Sequence, residues 1–176
     1  MKKGIIIALC SLAVMFAACS KTEPEPDPSP EPVDYSLDYV GNYLGQFTLT
    51  ITSMNSQEQT GMGFPIDGIS MDITKGEEGN AITAMVTVEN ESHYTNGIAT
   101  AEKANFESVH IVIDETHQPM NPYLFNLDLL MEGTKAASDT LMVTGTFSGN
   151  GTFTLNGVDN NIDEVSGNLT GKLVKQ

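Results

Sequence analysis

The chain has few residues with which to cross-link itself or to bind nucleic acid. It contains two cysteines, Cys10 and Cys19, and none after them. The rest of the chain therefore cannot form a disulfide, and its stability has to come from an apolar core. Lysine and arginine together number 8 against 23 acidic residues, a formal net charge of −15. Because phosphate binding needs a basic surface, this balance excludes nucleic acid as a partner.

Catalytic and metal-binding patterns are missing as well. His93, His110 and His117 are too scattered for a metal-ligand spacing, and no cysteine accompanies them. No G-x-S-x-G motif is present. Asp159–Glu164 begins like a calcium loop, but Glu164 stands where such a loop requires glycine. We therefore predict no catalytic residues, no metal and no cofactor, and we expect that the chain is not an enzyme.

The main apolar run is at the N-terminus. Met1–Lys3 is positively charged, Gly4–Phe16 is apolar, and Phe16–Cys19 ends in a small-residue cleavage box. The apolar stretch is too short for a membrane-spanning helix, which needs about 20 residues. The pattern predicts a signal peptide over residues 1–18. An ordinary secretory signal cleaved after Ala17 or Ala18 is the alternative.

The same segment resembles the signal of bacterial lipoproteins processed by signal peptidase II. The resemblance implies that Cys19 receives a diacylglyceryl group and that lipid chains attach the protein to the membrane. Residues 19–34 alternate proline with acidic residues, which predicts a flexible, extended linker. Acidic residues close behind Cys19 also resemble the surface-export signal of lipoproteins in Gram-negative gut anaerobes. The implied location is the outer membrane, at the cell surface.

From Tyr39 onward, apolar and polar residues alternate with a period of two, and helical periodicity is almost absent. The pattern predicts about eight strands. A Gly-Asn-Gly cluster at Ser148–Gly151 predicts a hairpin turn between two of them. Within Glu89–Phe106, residues 98–103 fit a short helix, a strand or a loop. The predicted strands are Phe47–Thr52, Ile69–Thr74, Ile82–Val88, Val109–Ile113, Phe125–Met131, Leu141–Phe147, Thr152–Leu155 and Val165–Val174.

Sequential antiparallel strands with one apolar face must close on themselves or stack on a second sheet, because an open sheet leaves long edges. The sequence therefore predicts an all-β domain over residues 35–176. An eight-stranded antiparallel up-and-down barrel is the most economical arrangement. A two-sheet sandwich with the same number of strands is the alternative.

Two segments carry a second resemblance. Tyr39–Thr50, with Gly41, Tyr43 and Gly45, and the closing strand Val165–Leu173 resemble the lipocalin-like or calycin-like domain of lipoproteins from gut bacteria. The resemblance implies a barrel whose first strand crosses its base. There Gly41 and Gly45 would permit a tight bend or bulge, and Tyr43 would pack as a plug over that end.

Two functions stay open at this point. Phe47, Met71, Phe125 and Met131 share faces with other apolar residues, and they would line a pocket for a small apolar or amphipathic ligand. Alternatively, large side chains fill the barrel, and its outer face or loops contact another surface protein or a host molecule. The volume of the lumen distinguishes the two, because a ligand pocket needs about 300 Å³ or more.

One short motif predicts a modification. Asp139-Thr140-Leu141 resembles the O-glycosylation motif of exported proteins in the same gut anaerobes. The resemblance implies a glycan on Thr140.

Overall fold

The computed structural model describes residues 32–117 and 122–176. The predicted signal peptide, the predicted lipidation site Cys19 and the linker as far as residue 31 lie outside them. The described part contains one short helix, α1 (Ser36–Tyr39), and nine strands, so the prediction of an all-β fold is confirmed. The strands are β1 (Gly41–Met54), β2 (Gln57–Lys75), β3 (Ala81–Val88), β4 (Glu91–Ala99), β5 (Ala104–Phe106), β6 (Val109–Asp114), β7 (Tyr123–Ala137), β8 (Thr140–Leu155) and β9 (Val158–Lys175).

The strands form one antiparallel sheet that closes into a ring. Their order is β5-β4-β3-β2-β1-β9-β8-β7-β6, and β5 also pairs with β7. Both β5 and β6 lie along β7, with Ala104 opposite Gly133 and Val109 opposite Leu129. The two short strands together therefore take the place of one strand in the ring.

The ring has two ends. The terminus end holds α1, the β2–β3 loop, the β4–β5 turn and the last residues of β9. The hairpin end holds three two-residue turns, Asn55–Ser56, Glu89–Asn90 and Asn156–Gly157, together with the last residue of β6 and the first residue of β7. Both residues of each turn have positive φ, between 47° and 76°. This backbone matches the right-handed twist of the strands that such turns join.

Glycines opposite the phenylalanines allow large rings to fill this sheet. A Cβ on Gly167 would lie 2.7 Å from Cζ of Phe147, and one on Gly151 would lie 2.6 Å from Cδ1 of Phe125. Both distances are shorter than van der Waals contact allows, so each ring occupies the space over its partner's backbone. Four inward phenylalanines have a glycine as register partner: Phe47 with Gly171, Phe106 with Gly97, Phe125 with Gly151, and Phe147 with Gly167.

The predicted hairpin at Ser148–Gly151 is wrong. These residues lie inside β8, which pairs with β7 on one side and with β9 on the other. The register with β9 shifts between Gly149 and Gly151, as at a bulge. Gly151 makes room for Phe125, Gly149 lies close to the backbone of β7, and the chain turns later, at Asn156–Gly157.

The ambiguous segment 89–106 forms two strands and no helix. It contains the Glu89–Asn90 turn, β4, a second turn and β5. Thr100 closes the second turn, because its backbone N–H and its Oγ1 each donate to the Lys103 carbonyl oxygen at 2.8 Å.

The first part of β2 is an exposed edge. Residues 57–69 pair with β1, whereas the ladder with β3 begins at Ser70. Pro65 lies in this edge and has no N–H to donate to a further strand. Gly61 and Gly68 have φ of 60° and 70°, which interrupts the extended backbone. These features protect the edge from pairing with another chain.

The chain enters the sheet through residues 34–39, which are tied to the β2–β3 loop. Asp34 forms an ion pair with Lys75 and accepts a hydrogen bond from the Ser36 backbone N–H at 3.0 Å. The Tyr35 N–H donates to Oδ1 of Asn80 at 2.6 Å. The contacts with Lys75 and with Ser36 lower the pKa of Asp34 to about 2. This segment therefore fixes α1 against the terminus end.

We predict that Asp34 makes stability depend on pH in a narrow acidic window. Its folded pKa lies below the ordinary value of 3.8, so its contribution is complete above about pH 4 and is lost as the pH falls towards about 2. Carboxylate NMR should show Asp34 titrating near pH 2. In thermal unfolding, Asp34→Asn should remove part of the pH dependence in this window. Titration of Asp34 near pH 4 in the folded protein would contradict this prediction.

A second prediction concerns the space above Gly171. A Cβ there would overlap the ring of Phe47, so Gly171→Ala should lower the free energy of unfolding by about 1–3 kcal/mol through overpacking. Gly63→Ala is the matched control, because its Cβ would find only Cγ2 of Thr48, 3.8 Å away. Urea denaturation measures both variants. If Gly171→Ala and Gly63→Ala were equally stable, the packing of the Phe47 ring would not require a glycine at position 171.

Candidate functional site at the hairpin end

The interior of the sheet holds one small apolar cavity near the hairpin end. Its volume is about 20 Å³, roughly the room of one water molecule. This is far below the ~300 Å³ that a small-molecule site needs. At this place, therefore, side chains fill the interior. The lining residues are Leu49, Ile51, Phe64, Ile66, Ile113, Tyr123, Phe125, Leu127 and Phe147.

Three aromatic rings close the sheet beside this cavity. Phe64 on β2 lies 6.0 Å from Tyr123 and 6.3 Å from Phe125 on β7, measured between ring centroids. Strands β2 and β7 are not hydrogen-bonded to each other, so side-chain packing joins them here. Phe64 and Tyr123 are only half-buried. Their rings therefore present a partly exposed apolar surface, which we call the aromatic seam (Phe64, Tyr123 and Phe125).

An acidic groove lies next to the aromatic seam. It has a volume of about 670 Å³ and contains the carboxyl groups of Glu89, Glu91, Asp114 and Glu115. The groove exists because β4 and β6 do not pair with each other. Oε2 of Glu89 accepts a hydrogen bond from the Asp114 N–H at 3.2 Å, which connects the β3–β4 turn to the end of β6.

Electrostatics link the groove to the seam. Burial is the main reason why the pKa of Glu89 is raised, and the nearby carboxyl group of Glu115 raises it further. Burial also raises the pKa of Tyr123, with smaller contributions from Glu115 and Glu89. The Glu115 N–H donates to the Tyr123 carbonyl oxygen at 2.9 Å. The two features therefore form one continuous surface.

Charge is unevenly divided between the two ends of the sheet. Within residues 32–117 and 122–176, every lysine lies in the half of the sheet nearer the terminus end: Lys75, Lys103, Lys135, Lys172 and Lys175. The hairpin end carries acidic residues: Glu58, Glu89, Glu91, Asp114, Glu115, Asp159, Asp163 and Glu164. The hairpin end is therefore strongly acidic.

The structure places the four predicted ligand-lining residues in the core. Phe47, Met71, Phe125 and Met131 are all buried. Phe125 lines the small cavity, whereas the other three are not among its lining residues. Their role in ligand binding stays a prediction.

The predicted plug residues lie at the terminus end. Tyr43 is buried, and its hydroxyl donates to the Tyr39 carbonyl oxygen at 3.0 Å. The β1–β2 register shifts between Gly45 and Phe47, as at a bulge. The Lys175 side chain approaches Gly41, and its Nζ donates to the neighbouring Val40 carbonyl oxygen at 2.7 Å.

The predicted glycosylation site is the first residue of β8. Thr140 follows the β7–β8 turn, is half-buried, and donates from Oγ1 to Oδ1 of Asp139 at 3.1 Å. The structure thus places Thr140 at a turn of the terminus end.

Metal-ligand groups and membrane-spanning helices are both absent from the described residues. Within them, no group of three or more His, Cys, Asp or Glu side chains is arranged to hold a metal ion. No helix in the same ranges has the length and apolar character to cross a membrane. Comparison of the chain with known protein families and with curated proteins gives no match.

Sequence reasoning missed the aromatic seam and the acidic groove. Phe64 and Ile66 are two residues apart, and so are Tyr123 and Phe125, so the same period of two could have extended both predicted strands. No comparable signal marks Glu89, which lies in a turn. Its proximity to Asp114 depends on how β3, β4 and β6 are placed in the ring.

We predict that the aromatic seam stabilises the closed sheet. Phe64→Ala removes the ring contacts with Tyr123 and Phe125 and enlarges the cavity, so the free energy of unfolding should fall by about 2–4 kcal/mol. Phe64→Leu keeps most of the apolar volume and should cost less than half of this. Urea denaturation measures both. If Phe64→Ala were as stable as the unmodified protein, the ring contacts of the aromatic seam would not stabilise the closed sheet.

Proposed function

We propose that the chain is a lipid-anchored interaction module of the bacterial cell envelope. Its domain is a calycin-like, eight-stranded up-and-down barrel filled by its own side chains. Lipid chains on Cys19 hold it at the outer membrane, facing the cell exterior, and its surface contacts another surface protein or a host molecule. The observation that supports this choice over a carrier of cargo is the cavity of about 20 Å³.

The packing of the interior explains why a lumenal cargo is disfavoured. A ligand of ordinary size would have to displace rings such as Phe47 and Phe147, which are almost completely buried and lie over glycines. Opening a cavity in such a core costs several kcal/mol. An interaction module needs no such opening, because its partner binds to residues that are already exposed.

The attachment of the chain also fits a module. The predicted linker joins the domain at Asp34 and Tyr35, which are fixed at the terminus end. The three two-residue turns lie at the opposite end of the strands. A lipid tether attached at one end leaves the hairpin end available to a partner.

A small apolar or amphipathic ligand is the second candidate. It is favoured by one observation, namely that the half-buried rings of Phe64 and Tyr123 adjoin the cavity. Such a ligand would enter at the aromatic seam. It would reach Met71 or Met131 only if the core opened further.

Native mass spectrometry of the full-length protein, purified from its own host, tests the proposal. We expect fatty acyl mass on Cys19 and no small molecule bound at a one-to-one ratio. Cys19→Ala should lose both the acyl mass and the membrane attachment. A co-purified apolar molecule at one-to-one ratio would favour the carrier, and absence of acyl mass would overturn the anchor. The same spectrum reports a glycan on Thr140.

A further inference from the structure

We propose that the hairpin end docks a cationic, amphipathic segment of a partner protein. A lysine or arginine side chain enters the acidic groove beside Glu91 and Asp114, and a neighbouring aromatic or aliphatic side chain packs on the aromatic seam. This inference rests on the proposed interaction function and names the chemistry of the partner.

The aromatic seam supplies the apolar half of this surface. Phe64 and Tyr123 are held in place by their contacts with each other and with Phe125, yet both remain partly accessible. Rigid, half-exposed aromatic rings give a large contact area at little cost in conformational entropy, and such rings are enriched at binding hot spots. An apolar side chain of a partner can therefore gain burial here without opening the core.

The acidic groove supplies the polar half. Its carboxyl groups come from the β3–β4 turn (Glu89), the first residue of β4 (Glu91), the last residue of β6 (Asp114) and the residue after it (Glu115). The basic groups beside these carboxyl groups are two imidazoles: Nε2 of His117 lies 3.4 Å from Oε2 of Glu115, and Nε2 of His93 lies 4.0 Å from Oε2 of Glu91. All described lysines are in the other half of the sheet. Carboxyl groups therefore outnumber basic groups in and beside the groove, and a cationic side chain would find complementary charge there.

The spacing of the two halves favours a peptide. The backbone hydrogen bond between Glu115 and Tyr123 places the groove and the seam on neighbouring backbone positions. Side chains two positions apart in an extended segment share one face and are separated by about 7 Å. One short segment can thus reach both halves. The excess negative charge of this end would also steer a cationic partner during approach.

Fluorescence anisotropy with a labelled synthetic peptide tests the inference on the full chain. The probe has one phenylalanine flanked by two lysines in a Gly–Ser background. We expect binding at low salt that weakens by about tenfold or more in about 0.5 M salt, as for a contact between exposed charges. A peptide with glutamate in place of lysine should not bind, and one with serine in place of phenylalanine should bind about tenfold more weakly.

Charge reversal locates the site. Glu91 is exposed in the groove. Glu91→Lys should therefore weaken binding of the labelled peptide by about tenfold. Glu78→Lys makes the same change at the terminus end, where Glu78 is also exposed, and should alter binding by less than about twofold. Circular dichroism and thermal unfolding confirm that both variants fold.

Three results would overturn the inference: no binding of the probe, equal binding of the lysine-only peptide, or equal weakening by Glu91→Lys and Glu78→Lys. These results leave the proposed function intact if native mass spectrometry still finds no cargo. A co-purified cargo would overturn the proposed function itself, whether or not the labelled peptide binds.

Discussion

The pairing of inward phenylalanines with inward glycines is the constraint on which the rest of this structure depends. A ring of so few strands gains room for an inward phenylalanine where the neighbouring strand has no Cβ at the register position. Phe47 over Gly171 and Phe147 over Gly167 meet this condition on both sides of β9. The rings then fill the centre at the density expected of a protein interior. The filled centre is the reason why function has to be sought on the surface.

The two ends of the sheet are closed in different ways, and this difference leaves half-buried aromatic rings at one of them. At the terminus end, Tyr39 and Tyr43 are buried, and Asp34 ties the entering chain to Lys75. At the hairpin end, β2 and β7 meet through side chains and without backbone hydrogen bonds. Backbone ladders leave little apolar surface exposed, whereas a seam made of rings leaves part of each ring accessible. The half-buried rings of Phe64 and Tyr123 therefore lie at the acidic end.

The sequence predicted the parts of this fold that depend on local pattern. Alternating residues predicted the cores of most strands, because a period of two holds whatever the neighbouring strand is. The cluster at Ser148–Gly151 was misinterpreted because glycine serves both in turns and opposite large rings, and only the pairing with Phe125 distinguishes these uses. The acidic groove was not predictable for the same reason. Glu89 and Asp114 are 25 residues apart, and nothing local indicates that they meet.

The acidic end also shows how a site can be kept ready without destabilising the fold. Most of its carboxylates lie in turns or at strand ends and are exposed, where water and salt screen their repulsion. Glu89 is exposed too, and partial desolvation together with Glu115 raises its pKa and so disfavours its charged form. A cation placed in the groove would reverse this effect by favouring the carboxylate.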